Sequence, residues 1–79
     1  MGPKFLSLTL SGTLTAFPAQ AASMLHVLNN SGGNVTLART GAESATFLLK
    51  DGQAWTVRGI TNADQVKASG SGTLYAEAE

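Results

Sequence analysis

The sequence predicts an all-β fold: a small β-sandwich or jelly-roll-like barrel of seven to eight short antiparallel strands, in a single domain over residues 1–79. Three observations predict it. Apolar and polar residues alternate at period two, most clearly over residues 6–16. Clusters of Gly, Asn, Ser and Asp recur at the spacing of about 8–12 residues that separates short strands. No window of about eleven residues sustains a helical period.

The elements follow in order. Leu6, Leu8, Leu10, Leu14 and Ala16 share one parity, while Ser7, Thr9, Ser11, Thr13 and Thr15 share the other. The segment reads as one long half-buried strand, or as two strands bent at Gly12, where a missing side chain admits a bulge. Phe17-Pro18 ends it, because proline has no N–H for a ladder. Ala19 to Ser23 is a link of small residues. Met24 to Leu28 is the next apolar run, and the polar stretch Asn29-Asn30-Ser31-Gly32-Gly33-Asn34 is a turn by composition. Val35 to Arg39 is a strand with Val35 and Leu37 on one face, and Thr40-Gly41-Ala42-Glu43 turns again. Ala45 to Leu49 and Ala54 to Arg58 flank Lys50-Asp51-Gly52-Gln53 and are expected to pair as a tight hairpin, since Asp-Gly accepts positive φ angles. Gly59 to Asp64 is a turn, Gln65 to Ala68 a short strand, Ser69-Gly70-Ser71-Gly72 a last turn, and Thr73 to Glu77 a closing strand. No internal repeat or long linker separates a second domain. Residues 1–18 are read either as a core strand or as an arm.

Composition narrows the chemistry. The chain has 79 residues and a mass of 8.1 kDa, is 43% hydrophobic and only 13% charged, and carries zero formal net charge. Such a balance gives no electrostatic footprint for nucleic acid or anionic lipid. The absence of cysteine excludes disulfides, thiol nucleophiles and Cys-based zinc sites, and a single histidine excludes a multi-histidine metal site within one chain. Chains this short commonly rely on disulfides, a metal or a partner, and low surface charge favours the partner. Lys4 and the Ala19-Gln20-Ala21 triplet resemble parts of a secretory signal, yet the intervening stretch alternates with hydroxyl residues where a signal is continuously apolar. No apolar run reaches the ~18–20 residues of a membrane helix.

No catalytic, cofactor-binding or metal-ligating set is legible. His26 has no chemical partner near it in sequence and reads as a half-buried strand histidine. Of the acids, Glu43, Asp51 and Asp64 fall in turns, and Glu77 and Glu79 share a face if the C-terminal segment is extended. A glycosidase pair would need a cleft that so short a chain can hardly build. One histidine and no nucleophile elbow argue against a serine triad. Gly32-Gly33 and Gly70-Ser71-Gly72 lack the following helix and Lys-Ser/Thr of a phosphate loop. Lys4, Arg39, Lys50, Arg58 and Lys67 are scattered singly, which is not a nucleic-acid pattern. Trp55 shares parity with Val57, so it is expected in the core, with a stacking platform as the other reading. The first strand is long, rich in Ser and Thr, and poorly guarded by charge, so it is expected to offer an edge for strand addition. Leu6, Leu8, Leu10, Leu14 and Phe17 are its expected interface residues.

The run Leu25-His26-Val27-Leu28-Asn29-Asn30 leads to a Gly-Asn turn and Val35. Arg39-Thr40-Gly41, Leu49-Lys50-Asp51-Gly52-Gln53, Arg58-Gly59-Ile60-Thr61-Asn62 and Gly70-Ser71-Gly72-Thr73 follow. Over residues 24–77 this order resembles small all-β virion proteins of tailed bacteriophages, of the head-decoration, fibre-base or connector-accessory type. The resemblance implies a non-enzymatic capsid decoration (cement) protein at the virion surface. Such proteins are often trimeric, sit at symmetry axes and staple neighbouring capsomers. The implied partners are further copies of the chain, as a homotrimer, and the major capsid protein or a neighbouring virion protein. The alternative is a fibre- or connector-associated binding module that holds carbohydrate through Trp55. The resemblance carries no catalytic residue, cofactor, nucleic acid or membrane.

Overall fold

The period-two segments become eight strands in a computed structural model that describes residues 4–79. They are β1 (Lys4–Thr9), β2 (Thr15–Ala16), β3 (Met24–Leu28), β4 (Val35–Arg39), β5 (Phe47–Leu49), β6 (Ala54–Arg58), β7 (Val66–Ser69) and β8 (Thr73–Ala78). They build two four-stranded antiparallel sheets, ordered β1-β8-β3-β6 and β2-β7-β4-β5, which form a small β-sandwich. The inner faces carry Leu8, Leu25, Val27 and Leu74 from the first sheet and Val35, Leu37, Leu49 and Val66 from the second. Phe17 is the largest fully buried side chain. The accessible surface of 4455 Å² matches what size scaling gives a compact monomer of this mass, about 4,500 Å².

Only β4 and β5 join as neighbours within one sheet; every other connection crosses from sheet to sheet. The first crossing resolves the long segment into two strands. The chain bends at Gly12, and the Leu10 N–H donates to Gly72 O (2.8 Å) while the Gly70 N–H donates to Ser11 O (2.8 Å). Residues 4–18 are thus not an arm: β1 pairs with β8, and β2 pairs with β7.

The expected hairpin across Asp51-Gly52 does not form. The turn is there, with the Gln53 N–H donating to Lys50 O at 3.0 Å and Gly52 at φ +87°. However, β5 pairs with β4 and β6 pairs with β3, in different sheets. The reason is local: among the described residues no non-glycine has positive φ, so Asp51 lacks the conformation of a type I′ turn, which fits the twist of two paired strands. The turn instead docks on residues 29–33, through Gly52 N–H to Asn29 O (2.6 Å) and Gly32 N–H to Asp51 Oδ1 (3.0 Å).

The stretch read as a turn before β7 also contains a short 3₁₀ helix, Ala63–Gln65. Asn62 caps it, with Oδ1 accepting from Asp64 N–H, and Gln65 Oε1 accepts in return from the Asn62 N–H. Nearby, Lys67 Nζ donates to Glu43 Oε2 at 3.0 Å. That bond, with backbone N–H groups at Glu43 and Gly41, holds the Glu43 carboxyl below its ordinary pKa.

Candidate docking surface

The side chains expected at an interface are used inside the molecule. Leu8, Leu10 and Phe17 are buried in the chain's own core, and Leu6 and Leu14 are half-buried. Alternation placed the leucines correctly on one face, but that face is the inner one. What β1 leaves outside is its backbone edge, because β1 ends the first sheet with β8 on one side and, among the described residues, no strand on the other. Lys4 at its start is its one charged residue.

The outer face of that first sheet carries large apolar side chains. One cross-strand row runs Ser7, Tyr75, Leu28, Ala54, and the next runs Phe5, Glu77, His26, Thr56. Phe5 is 81% exposed, Tyr75 55% and Leu28 48%. They rim a shallow groove of about 310 Å³ that also meets His26 and Glu77.

A second apolar region lies where both sheets end. β6 closes one sheet and β5 the other, and between them opens a cleft of about 660 Å³ lined by Leu37, Phe47, Trp55 and Val57. Arg39 and Arg58 border it, and Arg39 Nη2 donates to Arg58 O. Trp55 is 49% exposed, and its ring sits 4.5 Å from that of Phe47 at an interplanar angle of 38°. Its expected burial therefore fails, although its parity does not. The inner row of the first sheet runs Leu6, Ala76, Val27, Trp55. Ala76 and Val27 in the middle are buried, whereas Trp55 at the edge has no further strand to cover it.

The polar candidates are also rearranged. Asp51 accepts in its turn, and Asp64 sits in the first turn of the 3₁₀ helix. His26, without a partner in sequence, has three in space. Its Nδ1 lies 2.8 Å from Thr56 Oγ1 and its Nε2 2.7 Å from Glu79 Oε2, and Glu77 stands directly opposite it in the ladder. Sequence reading missed this cluster because β3 and β8 are distant in the chain. The available signal was the equal parity of Glu77 and Glu79, which put both on one face of an extended strand.

Among the described residues, no helix is long and apolar enough to cross a membrane. Comparison with protein-family models, with curated proteins and with solved structures finds no match to this chain.

Proposed function

We propose that the chain is a non-enzymatic virion structural protein, a capsid decoration protein that oligomerises and docks on the major capsid protein. The observation that supports this most is its apolar surface. Phe5, Leu28 and Tyr75 on one face and Phe47, Leu48 and Trp55 at one edge are all at least 40% exposed on a chain of 79 residues. Exposed aromatic side chains clustered this way suit contact with another protein. The unpaired edge of β1 adds a means of strand pairing with a neighbour. Zero net charge fits a subunit held in an assembly.

The test has two parts. Immunogold labelling of intact virions with antibody to the purified chain is expected to mark the capsid surface. Light scattering on a sizing column at micromolar concentration is expected to give the mass of a trimer. Virions that take no label would end the decoration reading, and a stable monomer would remove its oligomeric part.

A second reading rests on Trp55. An exposed indole stacked on Phe47 beside two arginines suits a sugar ring at the cleft of a fibre- or connector-associated module. Tryptophan fluorescence separates the two: protection of Trp55 from acrylamide by oligosaccharide favours the module, and protection by capsid alone favours decoration.

A further inference from the structure

We propose that His26, Glu77 and Glu79 form a binding site for one first-row divalent cation, with zinc as the ion that fits the donor set. The site lies beside the apolar groove of Phe5, Leu28 and Tyr75, but the inference does not depend on the docking reading. Strand pairing builds it. His26 in β3 lies directly opposite Glu77 in β8, and Glu79 follows two residues on, so all three project from the outer face of the first sheet. One donor atom from each lies within 4.8 Å of the other two. Zinc takes imidazole nitrogen and carboxylate oxygen at about 2.0–2.2 Å, and a tetrahedron of that size spaces its ligands roughly 3.3–3.6 Å apart. His26 Nε2 and Glu79 Oε2 are closer than that, at 2.7 Å, and every pair of donors lies within 4.8 Å. Rotation of the two glutamate side chains closes the difference, and Glu79 is exposed while Glu77 is half-buried.

Two further features point to a cation rather than to a simple ion pair. The imidazole is oriented from behind. Nδ1 lies 2.8 Å from Thr56 Oγ1, and an Nδ1–H donated to that hydroxyl turns Nε2 toward the carboxylates, where it donates to Glu79 without an ion and gives up that proton to ligate one. A ligating histidine is commonly fixed by such an outer hydrogen bond. The charges are also unequal. Glu79 pairs with His26, whereas the Glu77 carboxylate makes no ion pair or hydrogen bond among the described residues. A protonated imidazole balances one carboxylate, and a divalent ion balances both. Three protein ligands leave a fourth position open to water or to a donor from a docked neighbour. Calcium and magnesium prefer all-oxygen sites, so the imidazole selects against them.

The test is a calorimetric titration of the full chain with zinc chloride, repeated with calcium chloride. His26 is the single histidine, so its ring NMR signals report the site without any substitution. Zinc is expected to bind one ion per chain and to shift those signals, with calcium at least about tenfold weaker. Glu77→Gln and His26→Gln are expected to weaken zinc binding by more than about tenfold, and Thr56→Val by about tenfold through loss of ring positioning. Thermal unfolding in chelator checks that each variant folds. No saturable zinc binding, ring signals that zinc leaves in place, or calcium binding as tight as zinc would each overturn the proposal.

Discussion

Asn29 is the only buried polar residue among the described residues, and every hydrogen-bonding group it has is used. Its Nδ2 donates to Gly33 O (2.9 Å) and Leu49 O (2.8 Å), and its Oδ1 accepts from Ser31 N–H (3.1 Å) and Ser31 Oγ (2.7 Å). Its backbone N–H donates to Gln53 O and its carbonyl accepts from Gly52 N–H. The side chain thus ties the turn after β3 to the end of β5, and the backbone ties it to the turn that follows. Asn29→Ala leaves the Leu49 carbonyl and the Ser31 N–H without this partner and Gly33 O with the Ser31 hydroxyl alone, at a cost of about 2–4 kcal/mol. A domain of this length has roughly 4–12 kcal/mol in total. Urea unfolding is expected to show that loss as a large fall in midpoint, and a loss under ~1 kcal/mol would count against Asn29 as the tie. Composition predicted a turn at 29–34 but not which amide turns inward, because that depends on the carbonyl of Leu49 in β5, twenty residues on. The local hint was Ser31 two residues on, the spacing of an Asx turn.

At the scale of elements, β3, β4 and β6 fall where the alternation put them, and β1 and β2 fall within the long first segment. The pairings were not legible. Period-two patterning states which face of a strand is buried, but in a sandwich the two sheets bury equivalent faces, so it cannot say which sheet a strand joins. The glycines illustrate a related limit. Gly12, Gly52 and Gly72 look alike in sequence as turn residues, yet the backbone asks different things of them. Gly12 has neither a positive φ nor any atom within 4 Å of an added Cβ, so the bend does not require glycine. Gly52 has φ +87° in open space. Gly72 combines φ +86° with a position where a Cβ would lie 3.1 Å from Ser31 O, a backbone atom. Alanine substitutions are therefore expected to rank in that order. Gly12→Ala should fall within about 0.5 kcal/mol of the parent. Gly52→Ala should cost about 1 kcal/mol for left-handed strain, and Gly72→Ala about 2–3 kcal/mol. Thermal melts of the three variants check the ranking, and a Gly12→Ala loss equal to that of Gly72→Ala would contradict it.

For the whole molecule, the crossing connections bring the two ends of the chain together. β8 lies between β1 and β3, so the C-terminal strand depends on the N-terminal one for half of its ladder. The all-β class was legible because it follows from local alternation and turn chemistry. The exposed apolar surface was not, because it is set by where the sheets end: Trp55 and Phe47 are exposed as edge residues, and the leucines of the first segment are hidden as inward ones. This reverses the expectation for a truncated chain. If residues 1–18 were an arm, their deletion would leave a folded remainder that has lost only its contact with a partner. Instead the deletion removes Leu8, Leu10 and Phe17 from the core, opens a void beside Leu74, which pairs with Leu8, and frees the edges of β8 and β7. Burial of the three side chains contributes about 1.5–3 kcal/mol each, together roughly 4–9 kcal/mol. That is comparable with the whole stability expected for the chain, roughly 4–12 kcal/mol. The truncated protein is expected to lack a cooperative thermal transition and to show collapsed amide dispersion by NMR. A truncation that melts cooperatively with dispersed amides would mean that residues 19–79 close a core of their own, and that the N-terminal strands are an addition to the fold rather than part of it.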